Sequence, residues 1–238
     1  MPPTALINVG LSSLAGYSFH YLGEIHQPNA RTNVLYNRYM SKLIHDHIKK
    51  VDPIAFAMLE AVTLPELPEH SDMYAHICDN IISQQLSVKV ATTIYKRFAA
   101  LVHDDVRPET VIKLTKEELR AVGLSWAKAS YILDFTSRVL DGSLNLVALQ
   151  SMKDEEVIEE LIKVKGIGTW TAEMILIFTL KRPDIFSVKD YGLKKSISKQ
   201  YGIPMEQLTE KKLKELSAKW SPHRSYVARA LWKALDNM

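Results

Sequence analysis

Residues Leu161-Ile162-Lys163-Val164-Lys165-Gly166-Ile167-Gly168-Thr169-Trp170-Thr171-Ala172 carry two glycines two apart, and that pair decides how the stretch folds. Upstream, Ser151-Met152-Lys153-Asp154 opens a helix running to about Lys163. Downstream, Thr169 begins a strongly apolar helix that ends near Lys181, where Pro183 forbids continuation. The hairpin between them is tight. Glycine accepts positive φ and lets a second backbone come close. The second helix then points unpaired N–H groups and its positive dipole end at the hairpin. Such an arrangement suits phosphate and would grip a nucleic-acid backbone without reading its sequence. An ordinary turn between two helices, closed by a glycine cap, uses the same residues. Taken alone, the stretch leaves both readings open.

Outward from the hairpin, helical spacing continues in both directions. Thr115-Lys116-Glu117-Glu118 is a capping box ahead of Leu119 and Val122, and Gly123 ends that short helix. Ser125 caps another, with Ala129, Ile132, Leu133, Phe135 and Val139 as its apolar positions, stopped by Asp141-Gly142. Ser71-Asp72 caps a helix carrying Tyr74, Ile77, Cys78, Ile81 and Ile82. The polar run Ser83-Gln84-Gln85-Leu86-Ser87 interrupts it before a helix over 88–102. Met40, Leu43, Ile44, Ile48 and Val51 form one more, broken at Asp52-Pro53 and followed by a short helix to Val62. Leu64-Pro65-Glu66-Leu67-Pro68 is a linker, since two prolines cannot sit inside one helix. Beyond Pro183, helices are expected over 187–200, 209–219 and 222–235. No alternating strand pattern appears, and the expected class is all-α with about ten short helices. The first 23 residues hold no Asp, Glu, Lys or Arg and no basic n-region, so residues 1–37 read as a poorly ordered or loosely docked extension, or a mis-called start, rather than a secretory signal.

Composition removes several classes. With 47% apolar and 24% charged residues, the chain can bury a core, and neither a disordered chain nor a fibrous repeat is expected. No apolar run approaches the ~20 residues a membrane helix needs. The single cysteine, Cys78, rules out a disulfide framework and any Cys-rich zinc or iron–sulfur site, and fits an intracellular compartment. Only nine glycines argues against a Gly-rich nucleotide-binding sheet. Net charge is +3, a mild lean toward anionic partners. From Lys181 to Lys219, however, ten Lys/Arg face five Asp/Glu, a local excess next to the hairpin.

Asp190 lies twenty-two residues after Gly168, in Phe186-Ser187-Val188-Lys189-Asp190-Tyr191. An aspartate there can be a helix N-cap or a catalytic carboxylate, and spacing alone does not choose. Val164–Ala172 followed by Phe186-x-Val188-x-Asp190 resembles the helix–hairpin–helix and aspartate signature of the HhH-GPD DNA glycosylases, and within them the 3-methyladenine DNA glycosylases of the AlkA/Mag type. Ile81-Ile82-Ser83-Gln84-Gln85-Leu86-Ser87 is similar to their DNA-wedge segment. Trp220-Ser221-Pro222-His223-Arg224-Ser225-Tyr226 resembles the start of their C-terminal helix. The likeness spans roughly Met73 to Trp232.

That resemblance implies a two-lobed helical fold with DNA in the cleft between lobes. One lobe is contiguous, 73–186; the other combines 38–72 with 187–238. It implies hydrolysis of the N-glycosidic bond of alkylated purines, chiefly 3-methyladenine and 7-methylguanine, in base-excision repair. Alkylation at a ring nitrogen makes the base a better leaving group. One carboxylate near C1′ can stabilise the positive charge growing on the sugar and help water attack. By resemblance Asp190 is that carboxylate, a role that requires its oxygens not to be walled off from solvent and to face the groove between lobes. The nucleotide must first be everted. Gln84, Gln85, Leu86 and Ser87 would form the wedge segment, with Gln85 or Leu86 entering the stack. Trp170 is the foremost candidate to face a cationic base, with Tyr191 and Tyr226 behind it. Met174 and His223 stand where such pockets carry aromatics. His223 could instead be a surface residue at a helix start. Trp126, Tyr131 and Trp232 read as core. Lys165, Gly166, Gly168, Thr169, Lys189 and Arg224 are the expected backbone contacts.

Bifunctional relatives place a lysine where this chain has Trp170, which cannot form a Schiff base. The resemblance therefore implies a monofunctional hydrolase that leaves an abasic site. It needs no cofactor, though carbonyls near Ile162, Val164 and Ile167 could hold a structural Na+ or K+. The expected partner is double-stranded DNA containing damaged bases, bound by a monomer, in a prokaryotic cytoplasm and nucleoid or a eukaryotic nucleus. A non-catalytic helix–hairpin–helix DNA-binding protein is the rival, and a glycosylase with lyase activity a third reading.

Overall fold

Helix boundaries in this chain follow its caps. The structure, a computed structural model, describes residues 42–67 and 72–236. The expectations for residues 1–37, for Met40 and for Ser71 lie outside them. Helix α1 (42–51) stops because Asp52 is extended ahead of Pro53, and Pro53 then takes the first turn of α2 (Pro53–Glu60). Asp72 opens α3 (Met73–Ser83) by accepting the Ala75 amide at 3.0 Å. Next come α4 (Val88–Leu101), α5 (Pro108–Val111), α6 (Lys116–Ala121), α7 (Trp126–Leu140), α8 (Leu146–Leu149) and α9 (Asp154–Leu161). The Thr115 capping box closes in both directions: Thr115 Oγ1 accepts the Glu118 amide, and Glu118 Oε2 accepts the Thr115 amide at 2.7 Å. Helix α10 (Thr169–Met174) runs into a π turn over Ile175–Thr179, closed by the Leu180 amide on the Ile175 carbonyl at 2.9 Å. Helices α11 (Tyr191–Tyr201), α12 (Glu210–Ala218) and α13 (Arg224–Asp236) complete the chain, and no strand occurs among the described residues.

Two helix starts differ from expectation, and two short helices are additional. Helix α11 begins at Tyr191 rather than Ser187, because Asp190 is extended and caps it. Helix α13 begins at Arg224 rather than Pro222. The single-turn helices α5 and α8 are too short for periodicity to reveal.

The described residues separate into two units, 67 with 72–181, and 42–66 with 182–236. In the first, Ile77, Ile81, Phe98, Leu119, Phe135 and Leu161 are fully buried. Tyr74 stacks on Phe135 at 5.1 Å, and its hydroxyl meets Thr136 Oγ1 at 2.7 Å. Trp126 corrects the core expectation: it is exposed at the start of α7, with the Arg120 guanidinium 5.5 Å from its ring. In the second unit, α2, α11 and α13 pack around Leu193, Ile197, Trp220, Val227 and Leu231. Buried Asp52 organises this core. Its Oδ1 accepts the Ala55 amide at 3.1 Å, while Oδ2 accepts the Tyr201 hydroxyl at 2.7 Å and the Trp220 indole at 3.0 Å.

Candidate active site

The hairpin belongs to the first unit. Gly166 sits at φ +81°, and a Cβ there would stand 2.1 Å from Cδ2 of Tyr131. Tyr131, expected in the core, instead lays its half-buried ring against this glycine. Asp134, one turn further along α7, holds the loop. Its Oδ2 accepts the Lys165 amide at 2.9 Å and Arg138 Nε at 3.0 Å, and its Oδ1 lies 3.5 Å from Lys165 Nζ. Burial alone would raise the Asp134 carboxyl. The Lys165 amide and the Arg138 side chain outweigh that and hold it below the usual carboxylate value. Gly168, in contrast, caps α10 with φ −92° and open space where a Cβ would go. The two glycines therefore differ in kind. Gly166→Ala is expected to cost about 2–4 kcal/mol, since it meets both a left-handed backbone and an aromatic ring. Gly168→Ala should cost under about 1 kcal/mol. Urea denaturation of both variants checks this, and equal losses would refute it.

The polar run after α3 is a turn closed by the Leu86 amide on the Ser83 carbonyl at 3.1 Å. Gln85 occupies its tip, exposed and left-handed at φ +57°. Leu86 is half-buried and Ser87 exposed. Gln84 turns back: its Nε2 donates to the Gly166 carbonyl at 2.9 Å and to Thr171 Oγ1 at 3.3 Å. The residues expected as a wedge and those of the hairpin are thus joined within one unit, and Gln84 is the join. Trp170 is half-buried on the first turn of α10. Met174 retains only 1% exposure and sits in the buried set, so its expected place in a base pocket is not visible here.

The carboxylate belongs to the second unit. Asp190 caps α11, with Oδ1 accepting the Leu193 amide at 2.7 Å and the Trp232 indole at 3.0 Å. Its exposure is 4%, so the expected opening of this carboxylate to solvent is not met. The capping reading of Asp190 is therefore realised, and Trp232, expected only as core, donates to its Oδ1. A carboxylate fixed by N–H groups in a dry setting is preorganised to stabilise positive charge beside it. Tyr191 follows, 60% exposed, and Lys189 is exposed. Half-buried Tyr226 lies edge-on to His45 at 6.2 Å. His223 meets His47 at 5.5 Å. Burial and that second imidazole hold it below the usual histidine value, against the pull of Asp184. Arg224 is not a ready backbone contact: its Nε and Nη2 grip Asp184 at 2.8 and 3.0 Å, and Ser221 Oγ also donates to that carboxylate. Burial would raise Asp184, but the Arg224 and Ser221 hydrogen bonds keep it low.

Among the described residues, no group of three or more His, Cys, Asp or Glu could hold a metal ion, and no helix is long and apolar enough to cross a membrane. A short-helix fold, a glycine hairpin tied to a polar turn, and a capping aspartate twenty-two residues after Gly168 together describe a helix–hairpin–helix protein. The model of the HhH-GPD superfamily of base excision DNA repair proteins matches residues 78–223, and the chain belongs to that superfamily. It is 32% identical over 202 residues to YfjP of Bacillus subtilis, covering 80% of this chain and 68% of that one. It is also similar to the DNA-3-methyladenine glycosidase of Bacillus halodurans, at 33% identity and TM-score 0.70 over 79% of this chain and 87% of that one. A third likeness is to the 3-methyladenine DNA glycosylase Mag1 of Schizosaccharomyces pombe, solved in complex with abasic DNA, at 26% identity and TM-score 0.72 over 80% of this chain and 95% of that one.

Proposed function

We propose that this chain is a monofunctional DNA glycosylase that everts alkylated purines, chiefly 3-methyladenine and 7-methylguanine, and hydrolyses their N-glycosidic bond, leaving an abasic site. The observation that carries the proposal is Asp190: it lies inside the superfamily match, and its Oδ1 is held by two N–H donors. In the reaction the C1′–N bond breaks and both its electrons leave with the cationic base, which departs neutral. The Asp190 carboxylate stabilises the oxocarbenium-like sugar. Water adds to C1′, and its proton passes through Asp190 to solvent. Trp170 offers its face to the charged base, worth about 0.5–2 kcal/mol, with Tyr191, Tyr226 and His223 as further lining. Gln85 or Leu86 fills the gap in the stack. Lys165, Gly166, Gly168, Thr169 and Lys189 contact phosphates, and Arg224 is left to Asp184. The carbonyl of Val164 already accepts the Ile167 amide at 3.1 Å, and its second lone pair suits a structural Na+ or K+ at the hairpin. The protein acts as a monomer on damaged duplex DNA, wherever the cell keeps its chromosome.

One observation favours the non-catalytic reading. An aspartate that only caps a helix would also be buried and bonded as Asp190 is. Incubation with methylated duplex DNA decides between them. Free methylated purines should appear, strands should break only after alkali, and borohydride should trap no covalent adduct. Tight binding without base release would favour a binding module, and a trapped adduct a lyase.

A further inference from the structure

Lys128 has no part in the chemistry above, yet its side chain reaches the wedge turn. It sits on the first turn of α7, half-buried, and its Nζ donates to the carbonyls of Ile82, at 2.7 Å, and Gln84. Both carbonyls lie at the C-terminal end of α3, where backbone acceptors lack helical partners and the dipole is negative. Neither can be reached from their own helix. The next residue, Gln85, is left-handed at φ +57°, a conformation unfavourable for a side chain with a Cβ, so the turn needs outside support. Gln84 supplies the other half: while its carbonyl takes the Lys128 ammonium, its amide grips the hairpin at Gly166 and Thr171. Hydrogen bonds thus run without a break from α7 through the wedge turn to the hairpin, all inside one unit.

We infer that Lys128 and Gln84 form a clamp that presets the wedge turn against the hairpin, making Lys128 a positioning residue for nucleotide eversion rather than for bond cleavage. Three features support this. Lys128 offers three N–H donors and a point charge, which suits two convergent carbonyls. Burial costs that ammonium enough to push its pKa down to about 8, so it sits where it does at some expense to its charged form. A loose turn would fill the vacated stack poorly, and eversion of a paired base costs a few kcal/mol that a preformed wedge helps to offset.

This inference rests on the proposed glycosylase activity, and the test separates the two. Base release is measured on a duplex with 7-methylguanine paired to cytosine, and on the same duplex with 7-methylguanine opposite an abasic site, where eversion is cheaper. Lys128→Met should lower the paired-to-unpaired rate ratio about tenfold. It should also weaken the fluorescence rise of 2-aminopurine placed at the everted position. Gln84→Leu, which removes both donations to the hairpin, should do the same. If Lys128→Met fails to fold, Gln84→Leu decides alone by the same ratio. An unchanged ratio overturns the clamp while leaving the glycosylase reading intact. A wild type that releases base from neither duplex overturns the glycosylase reading and the clamp with it.

Discussion

Asp190→Asn keeps the fold and loses base release by about a thousandfold or more. Asparagine is as good an N-cap as aspartate. Its Oδ1 can still accept the Leu193 amide at the start of α11 and the Trp232 indole. What disappears is the negative charge. A cap requires only an acceptor, whereas stabilising a cationic sugar requires the charge, so this substitution separates the two roles that one side chain combines. Thermal melting should shift by no more than a few degrees, and affinity for duplex DNA should persist. Asp190→Ala removes cap and charge together and should lower stability by about 1 kcal/mol in addition. If Asp190→Asn releases bases within about tenfold of wild type, the carboxylate is structural and the low 4% exposure is the whole story. On the catalytic reading that low exposure has a function: away from water, a fixed charge acts through a lower dielectric and is worth more at the transition state.

What could be read from the chain and what could not divides by sequence distance. Caps are local. Thr115 with Glu118, Ser125 with the Lys128 amide, and Asp190 with the Leu193 amide each join residues three apart, and their residue types announce them. The hairpin is legible for the same reason, although only the structure separates a glycine pressed by Tyr131 from one with open space above it. The residues that complete the site come from far away. Trp232 reaches Asp190 across 42 positions, Asp134 reaches the Lys165 amide across 31, and Lys128 reaches the Gln84 carbonyl across 44. Nothing in helical periodicity distinguishes a tryptophan that donates to a carboxylate from one that fills a core. The same limit explains Trp126, placed at an apolar position by spacing and left at the surface by packing. It also explains Arg224, a plausible phosphate contact until Asp184, 40 residues earlier, is found in its grip.

Asp52 marks the longest of these distances, 168 positions to Trp220, and its loss should be the largest single blow to stability. In sequence, Asp52-Pro53 reads only as a helix break. In the structure one buried carboxylate serves three donors: the Ala55 amide, the Tyr201 hydroxyl and the Trp220 indole. It thereby links the start of α2, the end of α11 and the segment before α13. Asp52→Ala removes a cap, worth about 1 kcal/mol, and leaves a phenol and an indole N–H without an acceptor in a dry core, at about 1–3 kcal/mol each. The sum, about 3–7 kcal/mol, is a large part of the ~5–15 kcal/mol that holds a domain together, and the melting temperature should fall by about 10 °C or more. Asp52→Asn should lie between alanine and wild type. Its carbonyl can keep one donor and its NH2 can face the Tyr201 hydroxyl, but no acceptor then remains for the indole. Tyr201→Phe removes only one bond and should cost about 1 kcal/mol. Urea denaturation of the three variants should therefore rank alanine, asparagine and phenylalanine in decreasing order of loss. A loss below about 1 kcal/mol for Asp52→Ala would mean that this carboxylate does not organise the core. Well below its melting temperature, Asp52→Ala should still release bases within a few-fold of wild type, because neither donor to Asp190 Oδ1 passes through Asp52.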